Sequence, residues 1–511
     1  MMRYIFKLVL VFLVMGCSRN PDPESIDVHS VKLSSGIISG SISKDEMVLK
    51  FAGIPFAAPP VGPLRWKNPQ PVVPWDGVRD CVNNSPSAMQ PTPKPFYCWT
   101  KEFMAPESPI SEDCLYLNVW TTAETRKDKQ PVMVWIHGGG FTSGSGTVPL
   151  YDGDAMSRKG VVFVTINYRL GIFGFLAHPE LSDESDLHTS GNYGILDQIA
   201  ALQWVRDNIE AFGGDPNNVT IAGQSAGAFS VNALVVSPLA KGLFHKAIAQ
   251  SGGMFARNLS LGQTLQNAEE KGRQLTDNMN ISSIDSMRII PADSLLTFPG
   301  RWGLTVDEIV IPNTRKIFSS GRQNDVPLIT GWNADDGVSF GPPETAEQFQ
   351  KNARKQYGEK SSEFLELFPA GTEATAGTSQ KLLSQLFFGW NNYSWARLQS
   401  SSGENPAYLY YFKRVPPGEP DYGAFHSAEF GYALHNLDKW DRPFTEVDRK
   451  LEGIMSDYWV NFAKTGDPNS EGLPEWPSFN NEHPRIIELG DTVRSGELPF
   501  KEQLRFLDQF N

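Results

Sequence analysis

The chain changes from an apolar run to a run of small residues at Ile221-Ala222-Gly223-Gln224-Ser225-Ala226-Gly227. A Gly-x-Ser-x-Gly pattern between a strand and a helix is typical of a nucleophile elbow, where the turn is so tight that only glycine fits two residues to either side of the serine. Such a turn raises the serine hydroxyl above the sheet. The motif is short, and an ordinary glycine-rich turn also contains it. Its meaning depends on the sequence around it.

Short apolar runs recur through the middle of the chain and predict buried strands, at residues 115–120, 132–137, 161–167, 219–222, 247–250, 327–331 and 408–412. Strands that are apolar on both faces belong to a sheet covered by helices on each side. Between them, residues 195–212 carry apolar side chains at spacings of three and four, which predicts an amphipathic helix. The alternation of predicted strands and helices along the chain predicts an α/β fold with a mostly parallel central sheet.

The remaining segments are predicted from weaker patterns. Residues 31–42 and 47–51 alternate in strand fashion and predict an N-terminal antiparallel ribbon. Residues 255–325 and 340–405 predict shorter helical pieces, which we interpret as insertions packed over one end of the sheet because no long linker separates them. A last helix is predicted over 448–464.

The first seventeen residues have the composition of a secretory signal peptide. Arg3 and Lys7 precede or enter an apolar run at 8–15, which is too short to span a membrane comfortably. The run ends at Val14-Met15-Gly16-Cys17, which is similar to a bacterial lipobox, where the cysteine is lipidated. We therefore expect a lipoprotein-type signal at 1–17, a tether at 18–27 and a single domain at 28–511. The expected location is the cell envelope, periplasmic or at the cell surface, with membrane contact only through the lipid on Cys17; otherwise the protein is secreted.

The composition excludes some classes of protein. The net charge is −13, so no excess of cations is available to bind nucleic acid, and the 40% apolar content indicates a globular protein. No CxxC pair or His-rich tract predicts a structural metal. Beyond Cys17 the cysteines are Cys81, Cys98 and Cys114. In an oxidising compartment, one disulfide and one free thiol are the simplest expectation.

A serine nucleophile needs a histidine base, and the histidine needs a carboxylate to fix its tautomer. In α/β hydrolases the chain order is serine, acid, histidine. His426 follows the strand predicted at 408–412, where the base should lie, with His435 as the alternative. Asp335 and Asp336 follow the strand predicted at 327–331, and reacting groups collect at the carboxyl ends of such strands.

The reaction also needs backbone amides to bind the negative oxygen of its tetrahedral intermediate. His137-Gly138-Gly139-Gly140-Phe141 directly follows a predicted buried strand. Glycines at this place let the backbone point its amides at a ligand. We therefore predict an oxyanion loop rather than a merely flexible glycine run.

Taken together, these motifs make the chain similar to the type-B carboxylesterase/lipase family of α/β hydrolases, which includes cholinesterases and bacterial carboxylesterases. The resemblance rests on eight blocks, at residues 51–55, 111–120, 137–141, 167–171, 213–227, 244–252, 331–337 and 423–429. It implies an α/β-hydrolase fold with helical insertions over the active site.

The resemblance also implies roles for single residues. Ser225 would be the nucleophile, His426 the base and Asp336 the acid, although the family usually has Glu at that place. Because Asp is one methylene shorter than Glu, the loop bearing Asp336 and the loop bearing His426 must approach each other more closely.

Four further implications concern backbone amides, ion pairs, a disulfide and the substrate. The oxyanion donors would be Gly139, Gly140 and Ala226. Two structural ion pairs would join Arg65 to Glu112 and Arg169 to Asp197. A disulfide would join Cys98 to Cys114, which leaves Cys81 buried and free. Cholinesterases carry Glu where this chain has Gln224, and the tryptophan that binds their quaternary ammonium falls on Met104, so a choline site is not expected.

The resemblance implies a serine esterase that cleaves small-molecule carboxylic esters through an acyl-enzyme and needs no cofactor. The sequence does not specify an oligomeric state. The alternatives are a catalytically silent, esterase-like adhesion or binding protein and a lipase that acts at interfaces. Silent proteins of this kind lack a triad residue, whereas Ser225, Asp336 and His426 are all competent, which favours an enzyme.

Overall fold

A computed structural model of the protein describes residues 24–256, 262–337 and 343–510. The predicted signal, with Cys17, lies outside the described residues. The predicted tether is too long at its C-terminal end, because the Arg126 amide donates to the Glu24 carbonyl at 3.0 Å and the Ile26 amide donates to the Glu124 carbonyl at 3.0 Å. These backbone hydrogen bonds make residues 24–27 part of the folded body.

The strands of the described residues are β1 Val31–Leu33, β2 Gly36–Ser39, β3 Ser41–Ile42, β4 Leu49–Pro55, β5 Val78–Asp80, β6 Ser87–Ala88, β7 Ile110–Ser111, β8 Tyr116–Thr121, β9 Gln130–Ile136, β10 Val162–Ile166, β11 Gly214–Gln224, β12 Lys246–Gln250, β13 Gly262–Thr264, β14 Leu304–Val306, β15 Leu328–Asn333, β16 Ala407–Phe412, β17 Arg485–Leu489 and β18 Val493–Glu497.

The main sheet has the order β18-β17-β16-β15-β12-β11-β9-β10-β8-β4-β3. Its central strands, from β10 to β17, are parallel, and the antiparallel strands β8, β4, β3 and β18 lie at its two edges. The seven predicted buried strands all lie in this sheet. The predicted N-terminal ribbon is divided: β1 and β2 pair antiparallel in a separate small sheet, whereas β3 and β4 extend the main one.

The helices are α1 Asp154–Arg158, α2 Gly171–Phe175, α3 Pro179–Asp183, α4 Tyr193–Asn208, α5 Ala226–Val236, α6 Leu265–Asn278, α7 Ile284–Arg288, α8 Ala292–Leu296, α9 Thr314–Ser319, α10 Ala346–Tyr357, α11 Ser361–Leu367, α12 Glu373–Ser402, α13 Phe430–Ala433, α14 Glu446–Thr465 and α15 Lys501–Asp508. Within the described ranges, no helix combines the length and apolar character needed to cross a membrane.

The sheet is buried on both faces, as its continuous apolar strands predict. Along β9, Val132, Val134 and Ile136 belong to one hydrophobic cluster, whereas Met133 and Trp135 belong to another. Successive side chains of a strand point to opposite faces, so the two clusters lie on opposite sides of the sheet. Helices α4, α5 and α12 cover the first face, and α13 and α14 cover the second. The predicted α/β architecture is confirmed.

Helix α4 is more deeply buried than an amphipathic helix. The apolar residues that predicted it are buried, but so are Asp197 and Gln198. Asp197 binds Arg169, and the Gln198 amide donates to the Ser230 hydroxyl at 3.0 Å. These partners on neighbouring elements allow polar side chains on an enclosed helix.

The second insertion contains the 30-residue helix α12 where the sequence pattern predicted short pieces. Glycines at 377 and 389 interrupt the apolar pattern, so the sequence does not predict one continuous helix. Gly389 has a packing role, since a Cβ there would lie 3.1 Å from the Trp332 ring. The glycine therefore brings α12 close to β15 and to the end of the sheet where the acid was predicted.

The predicted Cys98–Cys114 disulfide is wrong. Cys98 belongs to the cluster on one face of the sheet and Cys114 to the cluster on the other, and all three described cysteines are free and buried. Burial raises the pKa of the Cys98 thiol to about 12 and that of Cys81 to about 11. All three therefore pack as small apolar residues, as predicted for Cys81 alone.

Candidate active site

Ser225 lies on the predicted elbow, between the end of β11 and the start of α5. Its backbone has φ 56° and ψ −123°, which residues with a Cβ rarely adopt. A Cβ on Gly223 would lie 2.6 Å from the Gly227 carbonyl carbon, and a Cβ on Gly227 would collide with the Ile136 carbonyl oxygen. The two glycines are therefore required for the turn to pack against β9, as the motif predicts.

His426 and Asp336 form a buried pair at the carboxyl end of the sheet. The Nδ1 atom of His426 lies 2.5 Å from Oδ1 of Asp336, and the two residues are 5% and 0% exposed. The alternative residues lie elsewhere: Asp335 accepts from the Ala424 amide, and Nδ1 of His435 lies 3.1 Å from the Ser456 hydroxyl. The structure thus brings together the histidine and acid that the resemblance selects.

Two further groups fix the Asp336 carboxylate. The Ser251 hydroxyl donates to Oδ2 at 2.7 Å, and the backbone amide of Asn333 donates to the same oxygen at 3.0 Å. With His426 on Oδ1, both oxygens are hydrogen-bonded, so the carboxylate is held in one orientation. Ser251 was not predicted from the sequence. Its position directly after β12, beside the elbow strand, was the available signal.

Gln224 contacts the other nitrogen of the imidazole. Its Nε2 atom lies 3.2 Å from Nε2 of His426. An amide nitrogen only donates, so the imidazole nitrogen must accept, and the ring proton is left on Nδ1, facing Asp336. This is the neutral tautomer that a general base requires.

Glu429 is a second buried carboxyl near the His426–Asp336 pair, and no role for it was predicted from the sequence. Its oxygens accept from the side-chain amide of Gln250 at 3.1 Å and from the side-chain amide of Asn333 at 2.5 Å. Burial, together with the charge of Asp336, raises the pKa of Glu429 to about 7. The site therefore contains one carboxyl that binds the histidine and another that exchanges its proton near neutral pH.

The glycine run after β9 lies against the serine. A Cβ on Gly138 would lie 3.2 Å from Cβ of Ser225. Gly139 and Gly140 have φ of 102° and 63°, which favour glycine. The amides of Gly139, Gly140 and Ala226 donate to no described acceptor, and Ala226 begins a helix, whose first amides have no partner within it. These amides can bind an anionic oxygen.

Both predicted ion pairs are present and lie outside this cluster. Nη2 of Arg65 lies 2.6 Å from Oε2 of Glu112, and Nη2 of Arg169 lies 2.7 Å from Oδ1 of Asp197. Arg65 also donates to the carbonyls of Arg288 and Ile290, which joins the N-terminal region to the first insertion. These pairs are structural. No described group of three or more His, Cys, Asp and Glu side chains is arranged to hold a metal.

Comparison with known proteins identifies the family. A model described as the carboxylesterase family matches residues 27–507. The fumonisin B1 esterase of Sphingopyxis macrogoltabida is 36% identical, over 93% of this chain and 89% of that protein. The para-nitrobenzyl esterase of Bacillus subtilis (strain 168) is 35% identical, over 89% of this chain and 94% of that protein.

The solved structures agree with this result. A PNB esterase structure superposes with a TM-score of 0.81 at 32% identity, covering 94% of this chain and 99% of that one. The mostly parallel sheet with helices on both faces is therefore the α/β-hydrolase fold. The chain belongs to the carboxylesterase family and is a carboxylic ester hydrolase.

Proposed function

We propose that Ser225 is the nucleophile of this hydrolase, with His426 as its general base and Asp336 as the acid that orients the base. The observation that carries this proposal is the buried 2.5 Å contact between His426 and Asp336, beside an elbow whose preceding residue, Gln224, touches the imidazole. It is supported by a tautomer that leaves Nε2 of His426 free of its own proton.

In the first half of the reaction, Ser225 Oγ replaces the Gln224 amide at Nε2 of His426 and attacks the carbonyl carbon of the ester, and its proton moves to that nitrogen. The carbonyl oxygen becomes an anion and is bound by the amides of Gly139, Gly140 and Ala226. When the intermediate collapses, the bond from the carbonyl carbon to the alcohol oxygen breaks. That oxygen takes the proton from His426, and the acyl group stays on Ser225.

In the second half, water replaces the alcohol. His426 takes a proton from the water, whose oxygen attacks the acyl carbon, and the same amides bind the new anion. The bond to Ser225 Oγ then breaks and Oγ takes the proton back. The carboxylic acid leaves and the enzyme is restored.

The test is rapid mixing of the enzyme with p-nitrophenyl acetate. Wild-type protein should release a first burst of p-nitrophenol proportional to the concentration of enzyme, because acylation precedes slower deacylation. Ser225→Ala should show no burst and lose steady-state hydrolysis by about 10³-fold or more. Near-wild-type turnover by Ser225→Ala would overturn the proposal, because another group would then have to be the nucleophile; a wild-type protein without hydrolysis would favour the catalytically silent alternative.

The proposed substrate is a small-molecule ester. The similar proteins are named for different compounds, fumonisin B1 in one and a para-nitrobenzyl ester in another, and they support ester hydrolysis without specifying one ester. A panel of p-nitrophenyl esters of increasing acyl length, run beside feruloyl and acetyl-sugar esters, would identify the preferred acyl group.

We also propose that the protein is an exported bacterial lipoprotein anchored through Cys17. The support is the basic, apolar and lipobox-like order of residues 1–17. Mass spectrometry of the mature N-terminus tests it. A diacylated or triacylated Cys17 is expected, and an unmodified Cys17 or cleavage elsewhere would contradict the anchor.

A further inference from the structure

The first described residues are fixed at one end of the main sheet. The Ile26 amide donates to the Glu124 carbonyl and the Arg126 amide donates to the Glu24 carbonyl, each at 3.0 Å. A β-bridge between the same two stretches continues this pairing. Both partners lie in the turn between β8 and β9, directly before the first residue of β9. The chain therefore enters the folded body at the amino end of that strand.

The candidate active site lies at the opposite end of the same sheet. Strand β9 is parallel to β10 and β11, and the oxyanion loop at 137–141 follows its last residue, Ile136. Ser225, Asp336 and His426 follow the carboxyl ends of β11, β15 and β16. The seven residues of β9 rise about 3.3 Å each, so about 20 Å separates the turn from the oxyanion loop.

The chain between the proposed anchor and the folded body is too short to bridge these two ends. Six residues, 18–23, separate Cys17 from Glu24, and the seven Cα steps between them span at most about 25 Å. A path to the carboxyl end must also pass over the helices that cover the sheet. Helix α12 stands above that end, where Phe388 stacks on the His426 imidazole at 4.6 Å. A lipid on Cys17 therefore cannot lie beyond the active site.

The charges around the turn are compatible with a lipid surface. Residues 124–129 expose three cations and two carboxylates, and Glu24 pairs with Lys127 at 3.1 Å. This end is therefore neutral overall in a chain whose net charge is −13. An anionic bilayer repels a neutral surface less than an acidic one. Charge and attachment thus favour the same end of the molecule.

We infer that the turn between β8 and β9 faces the membrane and the active site faces the water. The enzyme then hydrolyses esters dissolved in the aqueous phase rather than the lipids of the membrane that anchors it. The orientation argues against a lipase that acts on that membrane. The inference rests on the proposed anchor at Cys17 and on the proposed function of Ser225.

The test compares the distances of the two ends from the bilayer. The described cysteines are buried, so an added surface cysteine can be labelled selectively with a fluorescent maleimide. Lys127→Cys labels the turn, and Lys381→Cys labels the carboxyl end, where Lys381 pairs with Asp335. The two positions are matched, since the lysine side chains are 73% and 66% exposed and each pairs with one carboxylate.

The lipidated full-length protein is reconstituted in phosphatidylcholine vesicles whose headgroups carry an acceptor dye. Energy transfer should be about twofold or more efficient from residue 127 than from residue 381, which stands about 20 Å further from the bilayer. Equal transfer, or the reverse order, would overturn the orientation. Inserting about 30 Gly and Ser residues after Ser18 should narrow the difference, because a flexible tether of that length lets the body turn over.

Hydrolysis by the same vesicles tests the class of substrate. p-Nitrophenyl butyrate dissolves in water, whereas p-nitrophenyl palmitate stays in the bilayer. The long-tether variant should leave kcat/KM for the butyrate unchanged and raise hydrolysis of the palmitate about tenfold or more, because the short tether keeps the site from the bilayer. Hydrolysis of the palmitate by neither protein also supports dissolved esters. Equal hydrolysis of the palmitate by both proteins would overturn the inference.

The outcomes separate the inference from the proposals on which it rests. A protein with unmodified Cys17 that does not bind vesicles refutes the proposed anchor. Activity of Ser225→Ala on p-nitrophenyl butyrate refutes the proposed nucleophile and leaves the energy transfer to decide the orientation. If Cys17 is lipidated and Ser225→Ala is inactive, equal energy transfer from the two labels refutes the inference alone.

Discussion

Asp335 and Ala424 exchange two hydrogen bonds that join the acid loop to the histidine loop. The Asp335 amide donates to the Ala424 carbonyl at 3.0 Å, and the Ala424 amide donates to the Asp335 carboxylate at 2.7 Å. A β-bridge between Asp335 and Phe425 continues this contact. The close approach explains how Asp336, one methylene shorter than the family's usual Glu, still reaches His426.

Replacing the acid tests whether Asp336 binds the histidine while the adjacent Asp335 only joins the two loops. Asp336→Asn should lower kcat by up to about 10⁴-fold, because an amide that donates to Nδ1 favours the wrong histidine tautomer. Steady-state kinetics on p-nitrophenyl acetate measures the change.

Asp335→Asn is the matched control, since its amide oxygen can still accept from Ala424. We expect it to cost less than about tenfold in kcat, with only the ion pair to the exposed Lys381 lost. If the larger loss follows Asp335→Asn, the acid is displaced by one residue.

Gln224→Glu should move the acid limb of the pH profile of kcat/KM to higher pH. A carboxylate beside Nε2 stabilises the charged imidazole, so the base stays protonated, and inactive, over a wider range of pH. Gln224→Met, which is similar in size and uncharged, controls for packing. An unchanged acid limb in Gln224→Glu would show that residue 224 does not act on the histidine.

Glu429 should make stability depend on pH. With its pKa raised from 4.5 to about 7, the folded protein keeps a proton that the unfolded chain releases. The contribution of Glu429 to the free energy of unfolding is therefore fully present below about pH 4.5. The free energy of unfolding falls by about 3 kcal/mol as the pH rises from there through 7.

Glu429→Gln cannot ionise and should remove that loss. Thermal unfolding between pH 5 and 8 should show the Tm of the variant rising relative to that of wild type as pH rises. The exposed Glu497→Gln is the control. Parallel profiles for Glu429→Gln and wild type would contradict the raised pKa.

Gly227→Ala tests the steric basis of the elbow. The added methyl collides with the Ile136 carbonyl, so we expect a loss of about 1–3 kcal/mol in unfolding free energy and a large loss of kcat. Gly453→Ala, on α14 with open space around its Cβ, should instead stabilise the protein by about 0.5–1 kcal/mol. Equal Tm changes in the two variants would show that Gly227 is not sterically required.

Local sequence patterns predicted the features that depend on neighbours along the chain. The elbow glycines, the glycine run after β9 and the buried strands follow from steric and hydrophobic rules that act over a few residues. His426 and the pair Asp335 and Asp336 could be selected because the order of elements in the fold limits where a base and an acid can lie, and the family resemblance then implied Asp336.

Features set by contacts between distant segments could not be predicted in the same way. The Cys98–Cys114 pairing was wrong because the sequence does not show on which face of the sheet a loop cysteine packs. Helix α12 was missed because Gly389, which weakens a helix pattern, is there to fit against Trp332. Ser251 and Glu429 gain their roles only where the folded sheet places them beside Asp336.

The central claim is that Ser225 forms the covalent intermediate, and labelling with a serine-reactive fluorophosphonate tests it most directly. Peptide mass spectrometry of the inactivated enzyme should find one adduct, on Ser225, with activity falling in proportion to labelling. Ser225→Ala should take up no label under the same conditions. An adduct on another serine, or complete labelling of Ser225 with hydrolysis unchanged, would contradict the assignment.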